Sequence, residues 1–96
     1  MTVEPKVVLA LPISDEARLA DFVEQCVARN VSLIAIHGEG CERIEDEIDA
    51  LVVGDGTDDS RFITTSSHPG ETLEEALEFA TVWWVNADGP TEVVRL

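Results

Sequence analysis

The amino-acid sequence predicts a doubly wound α/β domain, three layers deep around a mostly parallel sheet of four to five strands. Two runs, residues 6–11 and 32–36, are almost wholly apolar, as strands buried on both faces of a sheet must be. The segment between them carries Leu19, Phe22, Val23, Cys26 and Val27 at the i, i+3, i+4, i+7, i+8 spacing of one helical stripe. Strand-like and helix-like segments then keep alternating to the end of the chain, the signature of βαβ units.

Taken in order, the first strand, residues 6–11, is stopped by Pro12, and Ser14 caps the first helix. Asp15 and Glu16 fall in its electropositive first turn, and Asn30 supplies the left-handed residue that ends it. Residues 32–36 form strand two. The turn His37-Gly38-Glu39-Gly40 leads to a helix with Cys41, Ile44 and Ile48 on one face. Residues 50–53 read as strand three and residues 61–66 as strand four, joined by a glycine- and aspartate-rich loop. That loop suits a parallel return or a hairpin, and the parallel form is the expectation. Thr72 and Glu75 make a capping box at the start of the last helix. Its stripe is Leu73, Ala76, Leu77, Ala80, Trp83 and Trp84, and residues 92–96 form the final strand. The rival reading turns residues 81–85 into a strand, because β-branched and aromatic side chains crowd there.

The pattern β-α-β-α-β-β-α-β implies a flavodoxin-like or Rossmann-like strand order. With strand one central, strand two on one side and strands three to five on the other, right-handed crossovers place helix one on one face and helices two and three on the opposite face. Two acidic stripes would then lie side by side: Glu42, Glu45, Asp46 and Asp49, and Glu71, Glu74, Glu75 and Glu78. Like charges at these spacings oppose the helix by a few tenths of a kcal/mol per pair, roughly 0.2–0.5, so a partner surface is one reason to keep them. No further helix covers strands three to five beside helix one, and a partly open sheet face predicts a homodimer or a protein partner there.

Composition bounds the function. With 96 residues the chain makes one domain, residues 1–96, and its 45% hydrophobic content describes a folded chain. Twenty acidic residues against six basic ones give a net charge of −14, a field that repels nucleic acid and anionic lipid and attracts basic protein surfaces. The first residues lack the features of a secretory signal, and two cysteines do not make a disulfide framework, so a cytoplasmic protein is expected.

Ligands of open parallel sheets bind outside the carboxyl ends of the strands. Here those ends gather Asp15, His37, Cys41, Asp55, Ser66 and His68 into one candidate site. Cys41 at a helix start has the placement of an activated thiolate, though a small buried residue is the commoner use of such a cysteine. No pair of His, Cys or Asp has a recognised ligand spacing, so neither a metal nor a cofactor is expected. Gly38 and Gly40 lack the third glycine or the lysine of a phosphate loop, and Ser66-Ser67-His68 lacks a nucleophile elbow. Asp15, Asp55 and Thr64 or Thr65 stand where a phosphoacceptor receiver domain has its acids and hydroxyl. The chain's one lysine, Lys6, is at the wrong end of the sheet for that family.

Residues 64–79, TTSSHPGETLEEALEF, resemble the C-terminal half of small bacterial α/β domains of unknown function. The resemblance covers about a sixth of the chain, implies the fold type and brings no activity or site residue with it. The expected function is a non-enzymatic acidic module that binds a basic protein, in the manner of an immunity protein or antitoxin. The alternative is a small-molecule or nucleotide-binding protein, or an enzyme, that uses the strand-end site.

Overall fold

The computed structural model describes residues 5–54, 56–57, 61–83 and 89–96. They form β1 (Lys6–Ala10), α1 (Arg18–Ala28), β2 (Leu33–His37), α2 (Cys41–Val53), β3 (Thr64–His68), α3 (Leu73–Thr81) and β4 (Thr91–Val94). All pairings are parallel and the strand order is β3-β2-β1-β4. The α/β class and the parallel sheet expected from the sequence are therefore present. No described helix is long and apolar enough to cross a membrane.

Several details differ from the sequence reading. Residues 50–53 are the last turn of α2, not a strand. Val52 continues the buried row of Cys41, Ile44 and Ile48, and no glycine or proline interrupts the chain until Gly54. The helix simply runs on to the first breaker. It thereby supplies the crossover to β3, so the sheet has four described strands, and the glycine- and aspartate-rich segment, part of which lies outside the described residues, follows a helix and not a strand. The segment read as strand four begins at Thr64 and extends to His68. Ser14 does not cap α1: its N–H and hydroxyl both donate to Leu96 O, at 3.0 and 2.6 Å. The Asp15 carboxylate instead accepts the Ala17 N–H at 3.0 Å, and α1 opens at Arg18. Trp84 and residues 85–88 lie outside the described residues; α3 ends at Thr81, so residue 81 closes a helix.

The helices also take different faces from those expected. Right-handed crossovers from β1 to β2 and from β2 to β3 step the same way, so α1 and α2 must share a face. Their buried residues, Leu19, Phe22, Val23, Ile44 and Ile48 among them, pack with Val7, Leu9, Ile34 and Ile36. The chain then reverses from β3 to the far side of β1, which sends α3 to the opposite face. There Ala76 and Ala80 lie against Val8, Leu33 and Ala35. The two small alanines let α3 approach the sheet closely, and its capping box forms as the sequence predicts, with Thr72 Oγ1 accepting the Glu75 N–H at 3.1 Å.

One turn is fixed by space as well as by dihedral angle. Gly38 follows β2 with φ +120°, and a Cβ there would stand 2.9 Å from the Leu11 Cβ. Gly40, at φ +82°, has open space. Gly38→Ala should thus cost about 2–3 kcal/mol and Gly40→Ala only about 1 kcal/mol, since the second change carries the backbone term alone. Urea denaturation of the two variants, at unchanged m-value, checks the difference.

The acid response of the fold follows from its caps and ion pairs. Glu75 is held below its ordinary value of 4.5 by the backbone N–H and then the hydroxyl of Thr72. Arg61 does the same for Glu24, and Arg29 for Glu92. Because the folded values are depressed, this stabilisation is fully present above about pH 4.5 and is lost as pH falls through the folded values. Glu75→Gln keeps the cap and removes one titration. Its melting temperature should lie slightly below the parent at neutral pH and converge with it as pH falls below about 4.5, as read by circular dichroism.

Candidate functional site

Two of the four strand ends meet where α2 and α3 begin. Register pairs His37 with His68, and both lie in the rows that face α3. This follows from alternation: Leu33 and Ala35 of β2 pack under α3, so His37 shares their side of the sheet. Likewise Ser66 and His68 share one side of β3, and the His68 ring stacks at a tilt on Phe79 of α3, 4.7 Å between centroids.

His68 is 4% exposed and doubly bound. Its Nδ1 lies 3.0 Å from Glu71 Oε2, and its Nε2 lies 2.9 Å from Ser66 Oγ. A carboxylate only accepts, so Nδ1 carries the proton and, in the neutral ring, Nε2 accepts the Ser66 hydroxyl. The three groups form a hydroxyl–imidazole–carboxylate relay able to move a proton along one line. Glu71 was missed by the sequence reading as a partner of His68, because the pairing depends on how the Pro69-Gly70 turn folds back. The only signal was the short spacing from His68 to Glu71. Ser66 lies on a flat strand two residues from its end, so its hydroxyl lacks the sharp turn that presents a nucleophile.

Beside the relay lies a crevice of about 550 Å³ between the loops that follow β2 and β3, lined by Gly38, Glu39, Gly40, Glu42, Gly70 and Glu71 among others. Three carboxylates and no cation face it, which sets its field against a phosphate despite the helix start below. At the end of β2, His37 Nδ1 is buried and has no hydrogen-bond partner among the described residues. Cys41 opens α2 as expected, but it is 2% exposed and part of the core. Cys26 is buried too, and desolvation pushes its thiol up to about 11. Among the described residues no group of three or more His, Cys, Asp or Glu could hold a metal ion.

The other sequence-predicted residues do not join this group. Asp15 turns back onto its own loop, and Asp55 lies outside the described residues. With this strand order the sheet reverses between β1 and β4, and there Ser14 and Leu96 bond to each other across the gap. The usual ligand position of a doubly wound sheet is thus bridged by the chain itself.

The two acidic stripes are separated, because α2 and α3 lie on opposite faces; they do not form the single face expected from the sequence. They also differ in use. Glu71 holds His68 and Glu75 closes the capping box, so half of the α3 stripe serves local structure. No described ion pair reaches the α2 stripe. Among the described ion pairs, Arg29 takes Glu92, Arg43 takes Glu16 and Glu47, and Arg61 takes Glu24. None takes Glu42, Glu45, Asp46 or Asp49. Glu45 and Asp49 instead converge on one hydroxyl, Thr65 Oγ1, at 3.0 and 2.7 Å. A hydroxyl has one proton for two acceptors, so one of these carboxylates always lacks a donor from it.

The arrangement defines a small doubly wound α/β domain with half of a Rossmann-like sheet, acidic on its α2 side and, among the described residues, with β3 paired on one side only. The chain belongs to the family described as a domain of unknown function (DUF7684), whose model matches residues 5–93. No curated protein and no solved structure matches it.

Proposed function

We propose that this domain is a non-enzymatic interaction module whose α2 surface binds a basic protein, as a cytoplasmic immunity protein or antitoxin would. One observation carries the reading: Glu42, Glu45, Asp46 and Asp49 stand together on α2 while the chain's paired arginines are spent on other carboxylates. Four like charges on one stripe work against the helix that carries them, and a cationic partner turns that cost into attraction. The same field disfavours nucleic acid and anionic membranes as partners.

Fluorescence anisotropy with a labelled lysine-rich peptide tests this. Binding at about 0.05 M salt should weaken at least about tenfold at about 0.5 M, since surface charge pairs are screened over that range. Neutralising all four α2 carboxylates removes roughly 0.5 kcal/mol each, or about thirtyfold in affinity. Equal binding by parent and neutralised protein would reject the reading.

A second reading has its own observation, the buried and unpartnered Nδ1 of His37, which immediately precedes the Gly38 that lines the crevice. A neutral or cationic small molecule with a hydrogen-bonding group would satisfy that atom. If any such compound raises the melting temperature of the parent, His37→Ala should abolish the shift.

A further inference from the structure

We infer that the outer edge of β3 accepts an additional β-strand from the partner, an extended segment in which basic residues alternate with apolar ones. The inference rests on the interaction reading above and names its mode. Among the described residues the strand order leaves β3 paired on one side only, with β2. The Thr64 N–H donates to Ser32 O at 3.2 Å, which fixes the alternation of the ladder. Thr64, Ser66 and His68 turn their backbone groups toward β2, and Thr65 and Ser67 turn theirs outward. Among the described residues nothing bonds these outward groups.

Exposed edges are normally guarded by lysine, proline, a bulge or an inward charge. The five residues Thr64-Thr65-Ser66-Ser67-His68 contain no lysine, proline or carboxylate, and they run in register without a bulge. The guards are missing where a strand would be received. Apolar surface waits at the start of the same edge, where Phe62 is 77% and Val53 57% exposed. Arg61 holds that junction together by donating to Leu51 O and Val52 O, at 2.9 and 2.7 Å.

The occupant's chemistry follows from the two sides of the added strand. Side chains of a strand alternate, so every second residue would point to the α2 side, where Glu45 and Asp49 already crowd the Thr65 hydroxyl. Lysine or arginine there supplies the donors this pair lacks. The intervening residues would lie beside Thr64, Ser66 and His68, with exposed Phe62 before them, where uncharged β-branched side chains pack well. A second copy of this chain would bring a charge of −14 against −14 and offers no cationic strand, so the occupant is a basic segment of another protein.

Amide hydrogen exchange, followed by NMR with a synthetic peptide of about ten residues alternating lysine and valine, decides the matter. On binding, the Thr65 and Ser67 amides should slow at least about tenfold. Ser67→Pro removes an outward N–H while leaving the β2 ladder intact, and should weaken binding at least about tenfold. The same peptide N-methylated at alternate residues tests the bond from the other side and should lose binding even if Ser67→Pro fails to fold. Binding that is lost on neutralising Glu45 and Asp49 but leaves Thr65 and Ser67 exchange unchanged would overturn strand addition while sparing the interaction reading. No binding of the peptide even at low salt would overturn both. Protection that grows with protein concentration in the absence of peptide would assign the edge to a second copy instead.

Discussion

Ile48→Ala is expected to lower stability by about 3–4 kcal/mol, among the largest losses any single side chain here can cause. Ile48 is 0% exposed in the middle of the buried row of α2, in the cluster that joins both helices of that face to β1 and β2. Truncation removes three carbons from a site with no access to water. α1, α2 and the sheet hold the walls apart, so the space cannot collapse fully. A domain of this length has a total stability of roughly 5–14 kcal/mol, so the variant should still fold at room temperature. Its melting temperature should drop by about 15–20 °C in calorimetry. Leu51→Ala, on the half-buried side of the same turn, should cost much less, and a comparable loss would place α2 wrongly on the sheet.

Lys6→Ala is expected to cost about 3 kcal/mol, although lysine is usually a surface residue. Lys6 is 0% exposed at the start of β1, and its Nζ donates to Thr81 O at 3.1 Å, at the C-terminal end of α3. That carbonyl belongs to the last turn of a helix, where backbone acceptors lack intrahelical donors and a cation is favoured. The lysine thereby ties the end of α3 to the central strand. Lys6→Met keeps most of the apolar stem and loses the charged donor, so about half the penalty should remain. Guanidinium denaturation of both variants measures the split. If Lys6→Met matched the parent, the lysine would be acting only as packing.

Much of the fold was legible in the sequence, and the reasons are specific. β1 and β2 are continuous apolar runs, α1 has a clean stripe, and the Thr72–Glu75 box marks the start of α3. The end of α2 was not legible, because Leu51-Val52-Val53 satisfies both a strand run and the last turn of a helix. Only the missing breaker before Gly54 separates the two. That one misreading carried the rest: a spurious strand shifted the predicted order, and the order set which helices share a face.

The candidate site was legible as a location more than as a set of contacts. His37 and His68 do both lie at strand ends, but their strands are neighbours, where the predicted order put strand one between them. Glu71 looked like one member of an acidic stripe, yet it is the hydrogen-bond partner of His68. Lys6 was read only as the first residue of an apolar strand, and its bond to α3 depends on where that helix happens to end. Both facts are tertiary. No local period encodes them.

The central claim is that the α2 carboxylates, and not acidity in general, recognise a basic partner. It is tested most directly by comparing two neutralised proteins against one lysine-rich peptide at low salt. In the first, Glu42, Glu45, Asp46 and Asp49 become Gln or Asn; in the second, Glu74 and Glu78 do, which spares the relay and the capping box. The account predicts an affinity loss of about thirtyfold for the first and less than about threefold for the second. Equal losses in proportion to the charge removed would contradict it, because the peptide would then be sensing only the net charge of the molecule.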